Sequence, residues 1–281
     1  WPITCLRIRG SGGGAWLIMD AAACDSMSNG LSSISSNESS LRTGFGFKLG
    51  NDSRLITSLK ILEEKISRFT IDNNELPLDL PVFPLQGALL LPGGILPLNI
   101  FEPRYVQMVK DTIATKHRMI VMTLPMIEGS NGSNVYKLAC AGKLISFEET
   151  LDGRFLISLS GIMRCRLKDD IQEKGGYKRM TVDFTEFLSD MKPNDIEIER
   201  DGFFKTLRSY FDIKGLSADW KAIEKCEDEK LITTLAMLCP FSDAEKQSLL
   251  EANCLNDRAQ IMKVILEMSA FEEGEQNAKK H

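Results

Sequence analysis

The chain has 281 residues, 43% of them hydrophobic and 26% charged, the balance of a globular protein long enough to bury a core without disulfides or metals. Its formal net charge of −5 excludes the molecule as a whole as an electrostatic partner for nucleic acid. The excess acid lies in the last third: residues 1–75 carry 8 basic and 8 acidic groups, residues 76–190 carry 13 of each, and residues 191–281 carry 13 and 18.

The chain opens on Trp1 rather than Met, which reads as a fragment or an extended reading frame. Gly10 to Gly14 and the Ser/Asn-rich stretch Ser26 to Ser40 bury too little apolar area to offset ordering entropy, so residues 1–75 read as a disordered lead. Within it, Leu55, Leu59, Leu62, Ile66 and Phe69 are spaced for a short amphipathic helix over 54–69. The acid-poor, Ser-rich part with Arg42 and Lys48 also has the character of an organelle transit peptide, which would mean an organelle matrix; otherwise the composition points to the cytoplasm.

Residues 76–190 read as a β-domain. Pro81 and Pro84 push the residues before them out of the helical region, so Leu80 to Leu85 is extended, and prolines in a strand mark an edge. The apolar stretch Ala88 to Leu91 meets a Pro92-Gly93-Gly94 turn, and Ile95 to Phe101 follows as a strand. Glu102-Pro103 starts a helix with Tyr105, Met108, Val109 and Ile113 on its apolar face. Met119 to Leu124 and Val135 to Thr150 read as strands around a polar loop, Glu128 to Asn134. Leu151 to Arg154 is a hairpin turn, Phe155 to Ile162 the return strand, and Gly175-Gly176 turns into a strand over Tyr177 to Phe187.

Residues 191–273 read as an all-α bundle: Ile196–Phe211, Ala218–Lys225, Glu229–Cys239, Ala244–Ala252 and Arg258–Phe271 all show helical apolar spacing. Ser242 and Glu245 form a capping box, and 274–281 is a polar tail. The expected class is α+β, a mostly antiparallel β-domain followed by a helical bundle.

Residues for catalysis are hard to find. No GxxxxGK[ST] phosphate cradle occurs, and Gly10 to Gly14 lacks the lysine that would reach a phosphate. The two histidines are His117, at a helix end between Lys116 and Arg118, and His281 in the tail, so a Ser-His-Asp triad would have to use His117. A Ser–Lys dyad stays open by residue count alone. Glu148-Glu149 and Asp169-Asp170 are adjacent on strands and point to opposite faces, so neither pair shares one site. The seven scattered cysteines have no CxxC spacing and read as buried thiols in a reducing compartment; no metal, cofactor or catalytic residue is assigned. The apolar run from Ala88 to Leu98 is broken by Pro92, Gly93, Gly94 and Pro97 and does not read as a membrane span. The basic stretch Arg164 to Arg179 places Arg164, Arg166 and Lys168 on one strand face, where they would either meet an RNA backbone or form a solvated surface.

Leu80-Pro-Val-Phe-Pro-Leu85, Leu91-Pro-Gly-Gly94 and Leu96-Pro-Leu-Asn-Ile-Phe-Glu-Pro-Arg-Tyr105 resemble the amino-terminal substrate-binding domain of Lon proteases, in its stand-alone bacterial short form. Cys140 to Lys143, Asp152 to Phe155, Ser160 to Arg166 and Leu235 to Gln247 are similar to later parts of the same family, so the resemblance spans roughly 76–273. It implies a PUA-like β-barrel followed by a helical bundle, and recognition of unfolded or tagged polypeptides as adaptor or holdase. A separate ATP-dependent protease and a homo-oligomer are the partners it implies; RNA binding through Arg164–Arg179 is the competing reading. Leu96, Leu98, Ile100, Phe101, Arg104 and Tyr105 are the candidate contacts, against a core role for each apolar one and a corner-fixing Glu102–Arg104 pair.

Overall fold

Proline placement explains how the first strand enters the sheet. The computed structural model describes residues 76–126, 135–191, 198–216 and 218–278; the lead, its 54–69 helix and the 128–134 loop lie outside them. Strand β1 (Asp79–Pro84) pairs antiparallel with β6 (Tyr177–Asp183) over Asp79 to Val82, and parallel with β3 (Met119–Thr123) over Val82 to Pro84. Pro81 has a register partner only on β6 and Pro84 only on β3, and alternation from the Val182 N to Leu78 O and Leu85 N to Thr123 O bonds turns each proline nitrogen away from that partner. The strand is interior rather than an edge, and each proline sits where one neighbour is missing and no ladder donor is lost.

Strand β4 (Leu138–Glu149) pairs with β3 and with the 20-residue β5 (Phe155–Lys174). The early part of β5 pairs with β2 (Ile95–Ile100) and its later part with β6, which closes the ring β1-β3-β4-β5-β6 and leaves β2 beside β5. All pairs but β1–β3 are antiparallel. Helix α1 (Pro103–Ile113) buries Tyr105, Met108, Val109 and Thr112.

Buried Ala88 to Leu91 lie against two glycines of the ring. A Cβ on Gly161 would stand 2.0 Å from the Leu91 carbonyl oxygen, and one on Gly142 would stand 2.6 Å from a Leu90 methyl. Gly161 is held to glycine by this approach of backbone, whereas at Gly142 it is the Leu90 methyl that would have to give way.

Strand β6 ends at Asp183, short of the expected span from Tyr177 to Phe187. The Asp183 carboxylate accepts from Thr185 N (3.0 Å) and Thr185 Oγ1 (2.7 Å), and this local turn competes with strand continuation. Two 3₁₀ turns follow over Thr185–Met191, with Phe184 and Phe187 still buried.

Helices α2 (Arg200–Ile213), α3 (Trp220–Glu224), α4 (Asp228–Leu238), α5 (Asp243–Glu251) and α6 (Leu255–Ala278) complete an α+β fold. Ser242 and Glu245 cap α5 reciprocally, with Ser242 N donating to Glu245 Oε2 at 2.7 Å and Glu245 N to Ser242 Oγ at 3.3 Å. The described strands and helices form one compact unit. Lys246 Nζ donates to Gly87 O (2.5 Å), Gly87 N to Asp243 Oδ1 (2.8 Å) and Gln247 Nε2 to Leu138 O (3.3 Å).

Candidate functional site

Strand β2 separates two sets of residues by parity. Gly161 N donates to Gly94 O at 2.8 Å just before the strand, and the register continues through Leu96↔Leu159, Leu98↔Ile157 and Ile100↔Phe155. Antiparallel pairs alternate between bonded and non-bonded, so Leu96, Leu98 and Ile100 turn their N–H and C=O groups toward β5. Their side chains are 2%, 5% and 3% exposed and fill the core. Ile95, Pro97, Asn99 and then Phe101 direct their backbone groups to the opposite side, where β2 has no strand neighbour among the described residues.

The remaining sequence candidates lie just past the strand. Phe101 is 66% exposed. Arg104 donates from Nε to Glu102 Oε2 at 2.9 Å, and its guanidinium stands 4.5 Å from the centre of the Tyr105 ring. Both members of that ion pair are about half exposed, so the pair itself contributes about 0–1 kcal/mol. Tyr105 is buried with its ring centre 4.4 Å from that of Phe83, and burial raises its hydroxyl pKa, with Arg104 opposing and Glu102 adding to the shift.

Further apolar surface was not apparent from period two. The β4–β5 register shifts between Leu144 and Ser146, leaving Ile145 as the extra residue, 43% exposed. Phe147 follows at 42% exposure, its ring edge-on to the buried Phe155 at 4.8 Å. Leu151 stands fully exposed at the hairpin tip, where Thr150 N donates to Arg154 O at 2.9 Å and Gly153 takes a φ of +78°. Asp152 beside it has its pKa lowered, first by the Thr150 hydroxyl and then by Arg154. Register places Phe101 beyond the Ile100↔Phe155 pair and Leu151 beyond Glu149↔Phe155, at one end of the same three strands.

The basic stretch of β5 is not a free cationic surface. Arg164 is buried and bound on both edges: Nε donates to Asp190 Oδ2 (2.9 Å), Nη2 to Asp190 Oδ1 (2.7 Å), and Nη1 to the carbonyls of Leu250 (3.3 Å) and Ala252 (2.5 Å). Arg166 pairs with Glu186 at 2.8 Å, Lys168 with Asp183 at 3.3 Å and Arg179 with Asp79 at 3.0 Å. Arg164 and Arg166 do share a face, over the Phe187 ring, as the period predicts. Their charge is matched by carboxylates, so the RNA-backbone reading gains no support from them. The cleft of about 480 Å³ at this place is lined by Arg166 together with Glu186 and Glu251.

His117 lies just past the end of α1, next to Arg118 in a left-handed conformation with φ 52°. Glu148 and Glu149 are both exposed on β4, and Asp169 and Asp170 on β5. Among the described residues no group of His, Cys, Asp and Glu is placed to hold a metal ion, and no helix is long and apolar enough to cross a membrane.

The substrate-binding domain family of ATP-dependent protease La (Lon) matches residues 79–268. The chain belongs to that family. Similar relatives are the Lon protease of Flavobacterium johnsoniae, 22% identical over 204 residues, and Lon protease 2 of Myxococcus xanthus, 22% identical over 203 residues. These alignments take in 67% and 70% of this chain and 24% of each relative, so the chain spans about a quarter of the length of the proteases it matches. Among solved structures, a Lon N-terminal domain protein from Xanthomonas campestris is 21% identical with a TM-score of 0.48, covering 66% of this chain and 96% of that one. The N-terminal domain of Mycobacterium avium complex Lon protease is 13% identical with a TM-score of 0.45, covering 68% and 97%.

Proposed function

We propose that the chain recognises unfolded or tagged polypeptide at the outward edge of β2 and the apolar surface around Phe101, and catalyses no reaction itself. The observation carrying this reading is the division of β2: its even residues are consumed by core and ladder, while its odd residues present backbone groups and the exposed Ile95, with the exposed Phe101 directly after the strand. An extended chain adding to a sheet edge supplies the matching backbone donors and acceptors whatever its sequence, and apolar neighbours add selectivity for segments that a folded protein would hide. Membership of a substrate-binding family and the Lon protease names of the relatives support a polypeptide as the ligand. The role that follows is adaptor or holdase, with a separate ATP-dependent protease as the receiving partner of an adaptor. Leu96, Leu98, Ile100 and Tyr105 act in this reading as the scaffold beneath the edge, and Phe101 as the contact.

The test is fluorescence binding of the full chain to a permanently unfolded, labelled polypeptide, with its folded counterpart and a structured RNA as controls. Selective, salt-tolerant capture of the unfolded chain is expected, weakened several-fold by Phe101→Ser. Equal capture of the folded control would sink the reading, as would capture of RNA alone with a steep salt dependence.

A further inference from the structure

A strand edge with no strand neighbour among the described residues poses a chemical problem for the protein that carries it. The same donors and acceptors that accept a client strand also accept a second copy of the edge, and that pairing removes the site from use. The composition of β2 bears on this at one position. The outward-facing residues are Ile95, Pro97 and Asn99, with Phe101 just past the strand, and Pro97 is the middle one of the three. Its partner on β5 is Ser158, in the non-bonded class of pairs, so the missing N–H costs the β2–β5 ladder nothing. The donor is missing only from the outward side.

We propose that Pro97 tunes this edge, permitting transient pairing with an extended client and blocking pairing of the edge with itself. The proposal rests on the reading of β2 as a polypeptide-binding edge. A client strand laid antiparallel finds donors at Ile95 and Asn99 and acceptors at Ile95, Pro97 and Asn99. It loses a single hydrogen bond, the one its own carbonyl would take from residue 97. Two copies of β2 paired about their common centre bring Pro97 against Pro97. Both bonds of that central pair are then lost, and two pyrrolidine rings meet where a narrow backbone pair should form. One substitution-sized feature thereby separates client from self. The client is an extended segment of at least the span from Ile95 to Phe101, carrying a free N–H opposite Pro97 and apolar side chains beside Ile95 and Phe101.

The experiment compares the full wild-type chain with Pro97→Ala and Pro97→Val, both of which restore the N–H and keep an extended backbone. The probe is a short fluorescein-labelled peptide of alternating valine and threonine flanked by lysines; a copy N-methylated on every valine and threonine, unable to donate along either edge, is the control. Fluorescence anisotropy reads binding and sedimentation velocity reads self-association. The expected result is capture of the plain peptide, loss of capture for the N-methylated copy, and binding roughly two- to ten-fold tighter for both variants, the gain of one hydrogen bond. Both variants should also sediment as larger species at concentrations where the wild type is unchanged. If the wild type discriminates the two peptides while both variants bind equally well and sediment alike, the role given to Pro97 is overturned and the edge reading stands. If the wild type binds both peptides alike or neither, the edge reading falls; self-association of the variants alone would then still support the block, and its absence would overturn that too.

Discussion

Neighbouring side chains on β2 differ in what their removal should do. Leu98 is 5% exposed and cross-strand from the buried Ile157, so Leu98→Ala removes packed methyl groups and leaves a cavity. Urea unfolding should show a loss of about 2–5 kcal/mol, and any loss of polypeptide binding should follow that loss of structure. Phe101, three residues on, is 66% exposed and outside the ladder. Phe101→Ser should leave unfolding within about 0.5 kcal/mol of wild type while weakening capture of unfolded polypeptide several-fold. The pair of variants separates scaffold from contact. A Phe101→Ser protein that binds normally would remove the exposed ring from the site. Arg104, between them in character, has its charge half in solvent, paired with Glu102 and 4.5 Å from the centre of the Tyr105 ring.

At the scale of elements, the placement of β2 depends on the stretch before it. The Leu91 carbonyl lies so close to Gly161 that a methyl group there would overlap it at 2.0 Å. Gly161→Ala should therefore displace the 88–94 segment and cost about 1–3 kcal/mol as overpacking strain, with faster amide exchange along β2 than along β3. Uniform exchange across both strands would show that the segment does not position β2. This stretch was legible in advance, because Pro92-Gly93-Gly94, the Leu151–Arg154 hairpin and the Ser242/Glu245 box signal through residues close in sequence. The placing of Phe147 beside Phe155 was not, since a bulge at Ile145 returns Phe147 to the face of Leu144, where plain alternation puts it on the opposite one. The end of β6 was missed because a single Asp183 carboxylate, held by Thr185, ends a strand whose apolar alternation carries on through Met180, Val182 and Phe184. Arg164 was misread as available charge because its acceptors lie 26 to 89 residues away in the chain.

Those distant acceptors join strands to helices in the molecule as a whole. Arg164 and Asp190 are 5% and 8% exposed, and the guanidinium also serves the carbonyls at the end of α5, where Arg258 Nε donates to Leu249 O at 2.8 Å. Asp190→Asn keeps the shape but leaves Arg164 without its counter-charge. A loss of about 3–5 kcal/mol by urea unfolding is expected, and a loss under 1 kcal/mol would show that the buried pair is relaxed by water. The same packing governs the response to alkali. Burial raises the pKa of the Cys140, Cys165 and Cys239 thiols, that of Cys239 to about 12 from an ordinary 9.0. Below pH 9 both folded and unfolded chains keep the Cys239 proton, and the stability is whole. Between pH 9 and about 12 the unfolded chain sheds it while the folded chain holds it, so stability is lost as pH rises through that window. Lys246 works in the opposite sense, because burial lowers its pKa from 10.5 and the folded chain gives up that proton first. Wild-type stability alone therefore mixes the two effects, and Cys239→Ala separates them. With one pKa unit equivalent to about 1.4 kcal/mol, the wild type should lose about 2 kcal/mol relative to Cys239→Ala between pH 8 and pH 10.5. A difference that stays constant across that range would mean the thiol ionises alike in both states, and that the end of α4 is open to water.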